Sequence, residues 1–244
     1  MATANEIIQE LKALGNDNQR EILQRFFKTG KGQYGYGDMF LGIKVPITRA
    51  IAKRYKDAEE SVVTEMLKSK WHEVRLCALL IMVEKTHKAT FNTCHKWCEI
   101  YLNNTENINN WDLVDLSAPQ IVGKLLTEQK DNILLRLADS KLLWDNRIAI
   151  VSTLSLIRKG ELDMTYYLAG KFIHHPHELI HKATGWMLRE AGKRDINRLR
   201  KYIEDYGQEM PRTMLRYAIE KFPKEERKII LETTRQKKVS NINH

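Results

Sequence analysis

Four short stretches of the chain can be laid over one another: Val74-Arg75-Leu76-Cys77-Ala78, Val114-Asp115-Leu116-Ser117-Ala118, Asn146-Arg147-Ile148-Ala149-Ile150 and Ile180-His181-Lys182-Ala183-Thr184. They begin 40, 32 and 34 residues apart, within the range of helical solenoid repeats. Apolar residues recur throughout with a period of 3.6, and few segments alternate with a period of two, so the sequence reads as all-α. Each repeat is then a helix pair that buries its apolar face only by stacking on its neighbours. The expected architecture is a curved solenoid, and Arg75, Asp115, Arg147 and His181, which hold equivalent positions, are expected along one of its surfaces.

Around these stretches the periodicity predicts helices over Asn5–Leu14 and Gln19–Lys28, broken at Gly15, then Pro46–Tyr55 and Glu59–Lys68. Partner helices are expected near Phe91–Leu102, Lys130–Leu137 and Met164–Ile173. Arg194–Asp205, Arg212–Phe222 and Lys224–Thr234 close the chain. A single domain over residues 1–235 is expected, with residues 236–244 as a frayed tail. The glycine-rich stretch 30–38 carries Tyr34 and Tyr36. It is not a phosphate-cradling P-loop, because no Gly-Lys-Ser/Thr follows it and no strand precedes it. It reads equally as a mobile loop displaying two aromatics and as a plain spacer between helices.

The stretch 107–120 carries the most chemistry. On a helix Trp111 and Asp115 stand at i and i+4 and project from one face, whereas Asp112 turns away from it at roughly 100° per residue. An indole beside a carboxylate suits a ligand that carries positive charge, since ring face and anion both attract cations. Pro119 cannot donate a hydrogen bond to the Asp115 carbonyl, so either the helix kinks there or Pro119 opens a new first turn. The plainer reading, a core tryptophan with a capping aspartate, stays open. So does a packing role for Trp186, which lies five residues past His181 on a helix that also carries Lys182 and Arg189. Arg147 reads equally well as a structural repeat arginine, and Trp71 and Trp144 read as packing. His174-His175-Pro176-His177 reads as an inter-helix loop.

Charge narrows the partners. Forty Lys and Arg against 31 Asp and Glu give a net charge of +9, a balance that points to a polyanion, nucleic acid first. From Lys182 to Lys238 there are 16 basic against 9 acidic residues. The start of the sequence, polar and amphipathic, has no secretory apolar region. The longest apolar run, Leu76–Val83, is far too short for a membrane span. Cys77, Cys94 and Cys98 make no disulfide framework, so a reduced, cytoplasmic setting is expected. No second ligand pair at metal spacing accompanies Cys94 and Cys98, and no metal is expected.

Four stretches, Gly35–Pro46, Asn110-Trp111-Asp112-Leu113-Val114-Asp115, Trp144-Asp145-Asn146-Arg147 and Ala183–Glu190, lie in order over nearly the whole chain. In them the sequence resembles the DNA alkylation repair family of HEAT-like-repeat DNA glycosylases. The resemblance implies HEAT-like repeats with a concave, basic DNA-binding surface, and excision of N3- or N7-alkylated purines from duplex DNA without extruding the target nucleotide. It places the catalytic aspartate on Asp115, the two active-site tryptophans on Trp111 and Trp186, and a DNA-contacting arginine on Arg147. Lys182 and Arg189 join Arg147 as expected phosphate contacts, and Tyr34 and Tyr36 as expected contacts to the duplex. The partner is then alkylated double-stranded DNA, bound by a monomer that is nucleoid-associated when on DNA. No cofactor is expected and no lyase step, as no lysine joins Asp115 as a Schiff-base nucleophile. Two other readings remain: a non-catalytic HEAT-like nucleic-acid-binding module, and a protein–protein scaffold.

Overall fold

The computed structural model describes residues 2–128 and 132–235. Its regular structure is helical, with a lone parallel bridge between Met39 and Trp71. Among the described residues no helix is long and apolar enough to cross a membrane. The chain divides into two compact units, Met1–Ser155 and Leu156–His244.

In the first unit the helices are α1 (Ala4–Ala13), α2 (Asp17–Phe26), α3 (Val45–Arg54), α4 (Glu60–Leu67), α5 (His72–Thr86), α6 (Phe91–Leu102), α7 (Trp111–Asp115), α8 (Lys124–Leu126), α9 (Ile133–Asp139) and the greater part of α10 (Leu143–Lys159). Short polar residues set the starts of several of them. Thr3 and Glu6 form a reciprocal capping box on α1, and Asn16 and Thr90 cap α2 and α6. Pro46 stands in the first turn of α3, where its missing N–H costs nothing. The helix expected at Lys130–Leu137 is α9, and the first of those expected residues lie outside the described ones. The tail expected over 236–244 lies outside them as well.

Helix α5 is the centre of this unit and packs against α1, α3, α4, α6 and α7. It is buried almost all round, the behaviour of a helix with no polar face. Leu76, Leu79, Leu80, Ile81 and Met82 are shut from solvent, each worth roughly 1.5–3 kcal/mol of transfer free energy. Glu73 is buried too, and its carboxylate accepts hydrogen bonds from the backbone N–H groups of Leu41, Gly42 and Ile43 at 2.8, 2.8 and 3.1 Å. That grip fixes the chain entering α3. Gly42 makes the bend possible: its φ is +87°, and a Cβ there would lie 2.1 Å from the Asn16 carbonyl oxygen.

In the second unit, after the end of α10, come α11 (Asp163–Lys171), α12 (Glu178–Gly192), α13 (Ile196–Tyr206), α14 (Arg212–Ala218) and α15 (Lys224–Thr233). Helix α12 packs on α11, α13 and most extensively on α14. Gly185 permits the α14 approach, since a Cβ there would stand 2.4 Å from the Met214 carbonyl oxygen. The histidine-rich segment before α12 is a turn in which His177 caps the helix through the Leu179 N–H.

Three of the overlaid stretches fall in α5, α10 and α12, while Val114–Ala118 begins in the last residues of α7 and runs past its end. Two of the four equivalent positions depart from the expected surface row: Arg75 and Arg147 are 4% and 5% exposed, their guanidinium groups drawn inward by the Asp38 and Asp115 carboxylates, as a buried charge must be paired.

Candidate active site

Helix α7 is only five residues long, and both of its ends are determined by sequence. The Asn110 side chain accepts from the Trp111 N–H at 2.9 Å to start it. At the other end Leu116 is the C-cap, and Pro119 has no N–H to continue the ladder. The chain resumes in a wider π-helical turn, Pro119–Gly123. Of the two expectations for Pro119, the new first turn is the one found.

Trp111 and Asp115 thus sit at the two ends of one short helix. Arg147, on α10, spans the carboxylate: Nε to Oδ1 at 2.9 Å and Nη2 to Oδ2 at 2.8 Å. This is the two-point geometry in which arginine binds carboxylates most strongly. The Asp115 side chain is 16% exposed and that of Arg147 is 6% exposed. Burial pushes the Asp115 carboxyl above the usual range. The Arg147 guanidinium opposes that shift, and the nearby Asp112 carboxylate adds to it. Two of the lone-pair directions of Asp115 are taken by Arg147, and a carboxylate has about four.

Trp111 is half-buried and belongs to an aromatic column. One face of its indole stacks on Phe27, with centroids 5.1 Å apart and planes at 24°. Phe27 in turn stacks on Phe40 at 5.1 Å, and Phe40 on the imidazole of His72 at 4.3 Å. Phe26, 60% exposed, meets the Trp111 ring edge-on.

Beneath the column lies a buried polar cluster. His72 Nδ1 is 2.8 Å from Asp38 Oδ2, and its Nε2 is 2.9 Å from Asp112 Oδ2. Arg75 donates to Asp38 Oδ1 at 2.6 Å, to Asn109 Oδ1 at 2.9 Å and to the Ser69 carbonyl at 2.8 Å. Burial disfavours the imidazolium, but Asp112 and Asp38 outweigh it and push His72 up to about 9. Burial likewise works to raise Asp38, and the hydrogen bonds and charges of His72 and Arg75 overcome it, holding that carboxyl below its usual range. Two cations then face two anions, so the cluster is neutral.

The glycine-rich stretch folds back as successive tight turns, with Gly35 N–H on the Lys28 carbonyl and Asp38 N–H on the Gly35 carbonyl, both at 3.1 Å. Tyr34 meets Trp144 edge-on at 6.4 Å, and Tyr36 is 66% exposed. Trp144 and Arg147 are one turn apart on α10, so Tyr34, Trp111, Asp115 and Arg147 are all gathered in the first unit.

Trp186, Lys182 and Arg189 are carried by α12 in the second unit. Trp186 is half-buried. Lys182 pairs with Glu178 at 3.3 Å, and Arg189 with Glu220 and, at 3.4 Å, with Glu190. Within that unit a cavity of about 930 Å³ is bordered by Arg212, Arg216, Lys224, Arg227, Lys228 and Arg235; none of the residues singled out in the sequence lines it. Among the described residues no group of three His, Cys, Asp or Glu side chains is arranged to hold a metal ion.

Sequence reasoning passed over Asp38, His72, Asp112, Phe26 and Phe27. Asp38 and Asp112 lie inside stretches already singled out, so the signal was at hand. His72 has none, being a lone histidine at the start of an apolar helix.

The sequence profile of the family described as "DNA alkylation repair enzyme" matches residues 7–222 of the chain. No curated protein is similar enough in sequence to match. Among solved structures, a predicted DNA alkylation repair enzyme from Enterococcus faecalis superposes with a TM-score of 0.68, covering 86% of this chain and 97% of its own at 15% identity. At that identity the likeness is one of fold.

Proposed function

The chain belongs to the DNA alkylation repair enzyme family, and on that premise we propose that it is a monofunctional glycosylase hydrolysing the N-glycosidic bond of positively charged N3- and N7-alkylated purines in duplex DNA. The observation that carries this reading is the Asp115 carboxylate, largely buried, gripped at both oxygens by Arg147 and one helical turn from a half-buried indole.

An alkylated purine already bears positive charge, so it departs as a neutral base and requires no general acid. As the bond lengthens, the charge passes to the deoxyribose in an oxocarbenium-like transition state. Asp115 faces that charge with the lone pairs Arg147 does not occupy, and it orients the attacking water and accepts its proton. A preorganised charge of this kind is worth roughly 3–4 kcal/mol, two to three decades in rate. Arg147 fixes the carboxylate so that no reorganisation is needed as the charge develops. Trp111 contributes its ring face, about 0.5–2 kcal/mol for a cation. Trp186 enters this reading through the resemblance of the sequence alone, and Lys182 and Arg189 through their positive charge on the same helix. Binding rests on phosphate contacts rather than base readout, and it weakens steeply with salt.

The test is release of free 3-methyladenine and 7-methylguanine from methylated duplex DNA, in chelator, by wild type and Asp115→Asn. Release that collapses in the variant while duplex binding persists is the expected result. The competing reading, a nucleic-acid-binding module in which Asp115–Arg147 is a structural ion pair, predicts salt-sensitive binding and no release from either protein.

A further inference from the structure

The buried histidine beneath the aromatic column joins three pieces of chain. His72 opens α5, Asp38 ends the glycine-rich stretch, and Asp112 is the residue next to Trp111 on α7. Its two ring nitrogens lie at hydrogen-bond distance from carboxylate oxygens on both sides. A carboxylate can only accept, and a neutral imidazole has one N–H, so both contacts are made together only by a ring that donates from both nitrogens. The geometry points to His72 as a positioning residue for the candidate active site: its two N–H groups tie Asp112, and with it the Trp111–Asp115 helix, to Asp38 and the end of the glycine-rich stretch.

The remaining surroundings fit that role. Asp112 Oδ1 is buried with no hydrogen-bond partner among the described residues, so His72 is what holds this carboxylate. Arg75 occupies the other oxygen of Asp38, and Glu73 is turned to the backbone of Leu41–Ile43, so neither competes for the imidazole. The rings of Phe40 and Phe27 lie over it and favour a cation there. Asp112 also acts on Asp115 at a distance, disfavouring its charge. Loss of the His72 charge therefore reaches Asp115 by two routes, through the seating of α7 and through the field of an unbalanced Asp112.

The inference rests on the proposed glycosylase only for its effect on base release, so its test has a readout that needs no substrate. Protein labelled with 5-fluorotryptophan, with the Trp111 resonance assigned by Trp111→Phe, is titrated by ¹⁹F NMR. In wild type that resonance moves as the pH is raised through about 9, the value to which His72 is pushed. In His72→Gln, which has a single amide in place of two ring N–H groups, the resonance starts displaced and does not titrate there. Base release at neutral pH falls by up to roughly a hundred-fold in that variant, the scale of loss that a misplacement of about 1 Å in an active group can bring, with duplex affinity retained. The rate of wild type declines through the same pH range and that of His72→Gln does not. Asp112→Asn keeps an acceptor for one N–H and decides the matter should His72→Gln not fold: its Trp111 titration moves down toward 6.5. A Trp111 resonance indifferent to pH in wild type, or unchanged in whichever of the two variants folds, overturns the inference. Absence of base release from wild type overturns the proposed function instead and leaves the fluorine result to stand by itself.

Discussion

Arg147 lies across both oxygens of Asp115, at 2.9 and 2.8 Å, and brings the carboxylate under the control of a helix 32 residues further along the chain. The pair is mostly out of water, so its two members are not equivalent to remove. Arg147→Ala leaves a buried anion without its counter-charge, for which a loss of about 3 kcal/mol in unfolding free energy is expected. Asp115→Asn retains an acceptor for the guanidinium and costs less. Urea denaturation of the two variants and of the double variant gives the coupling between them, and a coupling near zero contradicts the pairing described here.

On the proposed function, the acid limb of base release follows from the direction of the Asp115 shift. Burial raises this carboxyl above 3.8, so catalysis by the carboxylate is lost as the pH falls through that raised value, earlier than for an ordinary aspartate. Arg147→Lys, which cannot reproduce the two-point contact, moves the limb to still higher pH. Single-turnover rates across the acidic range show the shift; a limb at the ordinary aspartate value in both proteins counts against Asp115 as the titrating group.

Stability has its own pH dependence, set by His72. Its folded value, about 9, exceeds the ordinary 6.5, so its contribution is fully present below 6.5 and is lost as the pH rises through about 9. The full difference is on the order of 3 kcal/mol. Unfolding free energies of wild type therefore decline over this window, and the decline is absent in His72→Gln. Asp38, held below its usual range, contributes in the opposite sense, with stability present above 3.8 and lost only as the pH falls through its lowered folded value.

Two glycines with nearly the same backbone conformation separate steric from conformational cost. Gly37 has φ +85° and open space around the position of a Cβ, whereas Gly42 has φ +87° and the Asn16 carbonyl oxygen at 2.1 Å. Gly37→Ala is expected to cost about 1–2 kcal/mol for the left-handed conformation alone. Gly42→Ala adds a backbone clash, and overpacking brings typically a further 1–3 kcal/mol. Thermal melting of the two variants ranks them, and equal losses would show that the Asn16 contact yields.

Much of the helix order was legible because periodicity and capping act locally: Phe91–Leu102 is found where it was expected, and Pro46 stands in the first turn of its helix. Trp111 and Asp115 could be paired from their spacing alone, and Arg147 from its place in the repeat. The cluster under them could not. His72 meets partners 34 and 40 residues away, and nothing in its own neighbourhood marks it. Asp112 turns away from the Trp111 face, and that same turn points it at His72. Arg75 and Arg147 both leave the surface row that the repeat predicts, since a position equivalent in the repeat goes inside once a buried carboxylate demands a cation.

The hold of Glu73 on the N–H groups of Leu41, Gly42 and Ile43 has a consequence for how the molecule opens. Those amides belong to no helix, yet they can exchange with solvent only when α5 lets go of them, so their protection should match that of the core rather than that of a connector. The segment between α2 and α3 is therefore two things in succession: a run of turns over residues 30–37 that can be cut or lengthened at its exposed tip, and a run over 38–43 that unfolds with the central helix or not at all.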